Sequence, residues 1–220
     1  MSIISVEQAD RLYWLGRYAE RVYTTIKMYS MNFDTMIDQI LDSYVEFCKN
    51  IDIPNIYEGK ADFNRRYPFD PENSDSIISN LNRAYDNAIV LRESIGSECL
   101  AYIQLAIYAM NRAANSKSPL IEFQKVVDNL LAFYGMVDDQ IDNASIRNII
   151  KSGKRIERID LYARLGVDKK ELKREVERMV PRVIKSGLDY DKEKLSLIEK
   201  EVGQDKIDYY RIVGMVETIL

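Results

Sequence analysis

The sequence predicts an all-α protein, a single bundle of about six to eight helices that spans residues 1–220. Apolar residues recur at spacings of three and four along most of the chain, which is the period of an amphipathic helix. Pro and Gly are scarce, at 5 and 9 of 220 residues, so few positions are marked as turns. Strand-like alternation between Asn-Gly or Asp-Gly turns is missing from the sequence.

The first helix is predicted to run from about Val6 to about Asn32. Ser5 and Gln8 have the spacing of a capping box, in which side chains satisfy the free N–H groups at a helix start. A single apolar stripe then follows at helical spacing, formed by Leu12, Leu15, Ala19, Val22 and Ile26. A second helix is expected over residues 34–50 on the same pattern.

Residues 51–73 hold three of the five prolines and are predicted to form one long loop. A loop of about 20 residues is uncommon in a compact domain and is often functional. Arg65 and Arg66 lie among aromatic residues in this loop and suggest a binding site for an acidic partner. The alternative is a loop that is anchored by its aromatic side chains.

Helical periodicity resumes at Ser74 or Asp75, and Gly96 is expected to break or bend the chain before a strongly apolar helix over residues 97–114. Ser118 and Pro119 are typical of an N-cap and a first helical residue. They predict a helix that extends to about Asp142.

Asn143 or Ser145 is expected to open the next helix, and Gly166 is expected to end it. A charged helix over about residues 168–184 follows, and its alternating acids and bases are typical of a solvated surface. Residues 186–191 are predicted to form a turn, after which one or two helices close the chain.

A short motif occurs twice and predicts an internal pseudo-repeat. Residues 11–28 and 148–165 align without a gap. The alignment places Gly16 on Gly153, Arg17 on Lys154, Glu20 on Glu157 and Arg21 on Arg158. A glycine, a base and a Glu-Arg pair at fixed spacing suggest a duplication.

A helical wheel places Arg17 and Arg21 roughly opposite the apolar stripe of the first helix, with Glu20 at the flank. Apolar residues also lie on the charged side, so the charges are expected in or near a packed interior. The two glycines would let the helices approach closely. In that arrangement Glu20 would face Arg158, and Glu157 would face Arg21.

Three roles are open for the cluster of Arg17, Glu20, Arg21, Lys154, Glu157 and Arg158. The first is a buried ionic cluster that fixes the register of two helices. The second is binding of a phosphate or carboxylate, to which arginine side chains are suited. The third is catalysis by the glutamates.

Composition excludes several kinds of chemistry. The chain has no histidine, which removes His-based acid–base catalysis, His-activated nucleophiles and imidazole metal sites. No Gly-rich phosphate loop is present, and we expect neither a metal nor a cofactor. The net charge of −4 and the interleaved acids argue against nucleic-acid binding, although residues 151–185 are basic.

The sequence also indicates a cytoplasmic protein. Cys48 and Cys99 each lie in an apolar helical pattern and are expected to be buried thiols in a reducing compartment. The N-terminal residues lack the pattern of a signal peptide. No apolar stretch approaches the roughly 18 residues of a membrane span.

The motif residues resemble a known family. The segments LYWLGRYAER and SGKRIER look like the two signatures of the alpha-E domain, a bacterial all-helical domain of unassigned function. The segment FDPENSDSIISNLNRAYDNAIVLRESIGSE resembles its central block. On that pattern the further signature residues would be Asn87, Arg92, Ser97 and Glu98. The resemblance covers roughly residues 5–165, and residues 166–220 look short and diverged.

The resemblance implies an indirect function. Alpha-E domains are typically encoded beside, or fused to, circularly permuted ATP-grasp proteins and transglutaminase-like proteases. The chain would then be an accessory or binding partner of an ATP-grasp peptide ligase or modification system. Two alternatives are an enzyme or anion-binding protein that uses the Glu/Arg cluster on a carboxylate or phosphate, and a helical scaffold for homo-oligomers. Whether the chain is an enzyme stays open.

Overall fold

The computed structural model describes residues 4–38 and 43–220, with side chains for all of these except residues 32–38. The described residues form helices and no strand, which confirms the all-α prediction. Ten helices occur in these ranges, more than the expected six to eight. They are α1 Val6–Asp38, α2 Ser43–Asn50, α3 Lys60–Arg66, α4 Ile77–Val90, α5 Arg92–Ala114, α6 Pro119–Gln140, α7 Ala144–Arg164, α8 Lys169–Ser186, α9 Lys192–Gly203 and α10 Tyr209–Val216.

The chain divides into two compact units. The terminal unit comprises residues 1–20 and 141–220, and the central unit comprises residues 21–140. The first turns of α1 therefore belong to the terminal unit, together with α7, α8, α9 and α10. The rest of α1 and helices α2 to α6 belong to the central unit. No helix in the described part of the chain is both long and apolar enough to cross a membrane.

The start of α1 is set by its cap, as predicted. The backbone N–H of Gln8 donates to Ser5 Oγ at 3.1 Å. The helix continues beyond Asn32 to Asp38, because neither Gly nor Pro interrupts this segment. The second helix was expected over residues 34–50 and is shorter, since α2 covers only Ser43–Asn50. Residues 39–42 of that prediction lie outside the described residues.

The segment 51–73 is not one continuous loop, because it contains α3. Phe63 on this short helix is fully buried and stacks on Tyr67 with ring centroids 4.9 Å apart. Tyr57 meets the same ring edge-on at 5.0 Å. Arg65 and Arg66 both bond to Asp62 of the same helix, at 2.9 and 3.3 Å. These contacts match the alternative of a segment anchored by its aromatic side chains.

The remaining helix boundaries of the central unit follow local signals. Ser76 caps α4 by accepting the Ser79 N–H at 3.1 Å. Gly96 has a φ of 83° inside α5, so it bends the helix as expected, and a side chain would strain this backbone. α6 begins at Pro119, as the Ser-Pro pair predicts. Cys48 and Cys99 are buried free thiols.

Within the terminal unit, helix α7 packs against both α8 and α10. Asn143 caps its start by accepting the N–H groups of Ser145 and Ile146 at 3.0 and 3.3 Å. α8 follows after Gly166 and packs a buried apolar stripe against α7. The core of this unit includes the fully buried Ile156, Ile159, Met179, Val183, Ile198 and Ile212. The segment that looked diverged in sequence therefore completes the core around the second motif.

Candidate functional site

The two motif glycines are the points at which α1 and α7 touch backbone to backbone. A Cβ added to Gly16 would lie 2.1 Å from the carbonyl oxygen of Ile150, and one added to Gly153 would lie 2.1 Å from that of Tyr13. The contacts are reciprocal, since the motif alignment also places Tyr13 on Ile150. The predicted close approach is confirmed, and the duplication itself stays a prediction.

Two ion pairs join the helices beside the glycines. Arg17 Nε donates to Glu157 Oε2 at 2.6 Å, and Arg158 Nε donates to Glu20 Oε1 at 2.5 Å. The carboxylate side chains are 1% and 0% exposed, and the guanidinium side chains are 11% and 12% exposed. The predicted Glu20–Arg158 pair is therefore confirmed, and Arg17 is a partner of Glu157 that the sequence did not predict. Charge-assisted hydrogen bonds of this length are strong.

Arg21 is the first residue of the central unit. There its charge opposes the effect of burial, which raises the pKa of Tyr67. The expected pairing of Arg21 with Glu157 stays a prediction.

Glu175 on α8 extends the cluster and was not among the residues that the motif singled out. Its side chain is 2% exposed, and it bonds to Arg155 and to Arg178 Nη1, the latter at 2.9 Å. Arg158 Nη1 also lies 3.7 Å from Glu175 Oε2. Burial raises the pKa of this carboxyl, but the charges of Arg155 and Arg158 outweigh it, so the pKa is lowered.

The expectation that the charged residues of α8 form a solvated surface is therefore wrong at Glu175. This residue lies between Leu172 and Val176, which begin the buried stripe of the helix. A wheel of α8 would have placed Glu175 on that buried side, since residues three and four apart share a face. A buried carboxylate requires cationic partners, and α7 supplies two of them.

Lys154 aligns with Arg17 in the motif, but its surroundings differ. The residue is 8% exposed, and burial lowers the pKa of its amine to about 7. This value already includes the opposing effect of Glu20, which raises the pKa, and the effects of Arg158, Arg155 and Lys151, which lower it. The pKa of Lys154 is therefore well below the ordinary lysine value of 10.5.

Replacing Lys154 with Met is expected to change how stability depends on pH. The pKa of this amine is about 7 in the fold and near 10.5 in the unfolded chain, so above pH 7 the unfolded state binds more protons. Stability of the natural chain should then rise with pH, by up to roughly 1.4 kcal/mol per pH unit. Lys154→Met should remove this rise, as measured by urea unfolding at pH 7, 7.5, 8 and 8.5.

Lys173→Met is the control, because Lys173 is an exposed lysine of the same unit. This variant should keep the pH dependence of the natural chain. Equal slopes for the two variants would contradict the assignment of the rise to Lys154.

The further signature residues lie in the central unit, around the bend of α5. Arg92 Nε donates to Ser97 Oγ at 3.1 Å across the turn that Gly96 creates. Glu98 is exposed beside them, and the Asn87 carbonyl accepts the N–H of Leu91 at the end of α4. The structure thus brings Arg92 and Ser97 into direct contact.

Comparison with known proteins identifies the family. The model of the Alpha-E family, described as a predicted alpha-helical domain with a conserved ER motif, matches residues 7–189. The match includes α8 and so extends beyond residue 165, where the resemblance was expected to weaken. No curated protein and no solved structure matches the chain. With most of its length covered by this model, the chain belongs to the Alpha-E family.

Proposed function

We propose that this chain is a non-catalytic binding partner of an ATP-grasp peptide ligase or modification system in the cytoplasm, with a transglutaminase-like protein as a second partner. The supporting observation is that Glu20 and Glu157 are 0% and 1% exposed, each bonded to a guanidinium group. The Glu/Arg cluster in this proposal holds α1 against α7.

This geometry favours a structural role for the cluster over catalysis. A general base has to come within about 3 Å of the proton that it removes from a substrate. Glu20 and Glu157 are covered by the protein and already accept N–H groups from Arg158 and Arg17. A substrate would have to displace a charge-assisted hydrogen bond to reach either carboxylate.

The same contacts weigh against anion binding by the cluster. Arg17 and Arg158 each direct the Nε atom to a carboxylate of the protein, so a phosphate would compete with a buried ion pair. Removing one partner of such a pair costs about 3–5 kcal/mol, which a weakly bound anion does not supply.

The test is co-purification with an ATP-grasp protein of the kind that is typically encoded beside Alpha-E domains. We expect the two proteins to form a complex and Glu157→Gln to remain in it, at a temperature where circular dichroism shows the variant folded. Glu157→Gln should lower stability, because Arg17 loses a charged partner. The cluster has no catalytic role in this proposal, so ligase turnover, read as nucleotide hydrolysis, should stay within about twofold of the natural complex. A catalytic contribution of only about 1.4 kcal/mol would change the rate tenfold.

Glu171→Gln is the matched control, since the side chain of Glu171 is 50% exposed. This variant should change neither stability nor turnover. A folded Glu157→Gln variant that joins the complex but abolishes turnover would support the enzyme alternative instead. Failure of the ATP-grasp protein to bind the natural chain would overturn the proposed partnership.

A further inference from the structure

The terminal unit contains a cleft that the Glu/Arg cluster does not occupy. Its volume is about 1080 Å³, and it is lined by the start of α1, the N-terminus of α7 and the turn after α8. Ligand-binding clefts of proteins commonly measure about 300–1,000 Å³. Arg17 is the one residue of the two buried ion pairs that also lines the cleft.

One wall of the cleft is aromatic and apolar. Trp14 lines it and stacks on Tyr18 with ring centroids 5.2 Å apart. The guanidinium carbon of Arg17 lies 4.9 Å from the centre of the Trp14 ring. These contacts restrain the indole, so binding of an apolar group would require little further ordering of the wall. Leu188 and the exposed Val6 add aliphatic surface.

The charge around this wall is negative. Asp10, Asp142, Asp189 and Glu217 line the cleft, and Arg17 is the one cationic side chain among its described lining residues. Arg17 is already paired with Glu157, and Glu217 is paired with Arg164. The three aspartates are exposed, and in the described part of the chain none of their carboxylates forms an ion pair.

An anionic ligand does not suit this site. The N-terminus of α7 would otherwise attract one, because free N–H groups point out of a helix start. Asn143 already accepts the N–H groups of Ser145 and Ile146. A cationic ligand with apolar groups would instead find, in one cleft, an apolar wall and three carboxylates that have no ion pair among the described residues.

We propose that the cleft binds a protein segment in which Lys or Arg side chains alternate with apolar side chains. The apolar side chains would contact Trp14, Val6 and Leu188, and the cationic groups would reach Asp10, Asp142 and Asp189. Charge complementarity of this kind increases association rates and specificity. Such binding requires only this chain, so it can be tested whether or not an ATP-grasp protein is a partner.

The chain carries its own reporter for a binding experiment. Trp14 is the only tryptophan of the 220 residues, so its fluorescence reports on the cleft wall. Three hexapeptides without tryptophan serve as probes, with alternating Leu-Lys, Leu-Glu or Ser-Lys residues. We expect the Leu-Lys peptide to change the Trp14 emission in a saturable way, and added salt to weaken its binding.

The other two peptides separate the contributions of charge and apolar contact. The Leu-Glu peptide should give no saturable change, and the Ser-Lys peptide should bind at least about tenfold more weakly than the Leu-Lys peptide. Equal binding of the Ser-Lys and Leu-Lys peptides would show that the lysine side chains alone account for binding, which overturns the apolar part of the proposal. A saturable response to the Leu-Glu peptide would overturn the assignment of charge.

A pair of charge-matched variants tests the site itself. The double variant Asp10→Asn/Asp189→Asn should weaken binding of the Leu-Lys peptide at least about tenfold. The control Glu199→Gln/Asp205→Asn removes the same charge from exposed positions of the same unit and should leave binding unchanged. Equal affinities of the two double variants, with folding verified by circular dichroism, would overturn the proposed site.

Discussion

Replacing Gly153 with Ala should lower the free energy of unfolding of the terminal unit by about 3 kcal/mol or more. The new Cβ would lie 2.1 Å from the carbonyl oxygen of Tyr13, where ordinary contacts are 3.4–4 Å. The opposing atom belongs to the backbone and cannot rotate away. The two helices would have to separate, which would also lengthen the buried ion pairs. Urea unfolding followed by the emission of Trp14, which lies in α1, measures the loss.

Two further substitutions test whether the effect comes from the close contact. Gly16→Ala should destabilise the unit to a similar extent, since its Cβ would meet the Ile150 carbonyl oxygen at the same distance. Gly214 lies in α10, and a Cβ added there would have no described neighbouring atom within 4 Å. Gly214→Ala should therefore stabilise by about 0.5–1 kcal/mol, because alanine favours a helix. Similar effects for Gly153→Ala and Gly214→Ala would contradict the contact.

Features that depend on neighbouring residues in sequence could be predicted. Ser5, Pro119 and Asn143 mark the starts of α1, α6 and α7 because caps and first-turn prolines act within a few residues. The contact at Gly16 and Gly153 was also predictable. Each glycine recurs with the same charged neighbours, and only a missing side chain permits backbones to touch.

Features that depend on distant residues could not be predicted in the same way. A seven-residue helix such as α3 has too few hydrogen bonds to be stable alone, and it forms where the ring of Phe63 packs among other aromatic residues. The buried position of Glu175 follows from a wheel of α8, but its partner Arg155 lies on α7 and is distant in sequence. The pKa of Lys154 depends on burial and on charges that only the folded unit assembles.

Replacing Arg158 with Met should destabilise the terminal unit by about 3 kcal/mol. The guanidinium lies 2.5 Å from Glu20, whose side chain is 0% exposed, so the substitution removes this charged partner from a buried carboxylate. Glu175 is affected less, since Arg155 and Arg178 still contact it. Chemical denaturation at pH 8 measures the loss. Arg174→Met is the control, because its side chain is 53% exposed, and it should cost about 0.5 kcal/mol or less.

The double variant Glu20→Met/Arg158→Met decides what the pair contributes. A buried ion pair can often be replaced by apolar side chains of similar size with little change in stability, because both desolvation costs disappear together. We therefore expect the double variant to be within about 1 kcal/mol of the natural chain and clearly more stable than Arg158→Met. A double variant no more stable than the single one would contradict this account. If the natural chain binds an ATP-grasp protein as proposed and the stable double variant binds it equally well, the Glu20–Arg158 pair acts by joining α1 to α7, because no charge of this pair then remains to bind or transform a substrate.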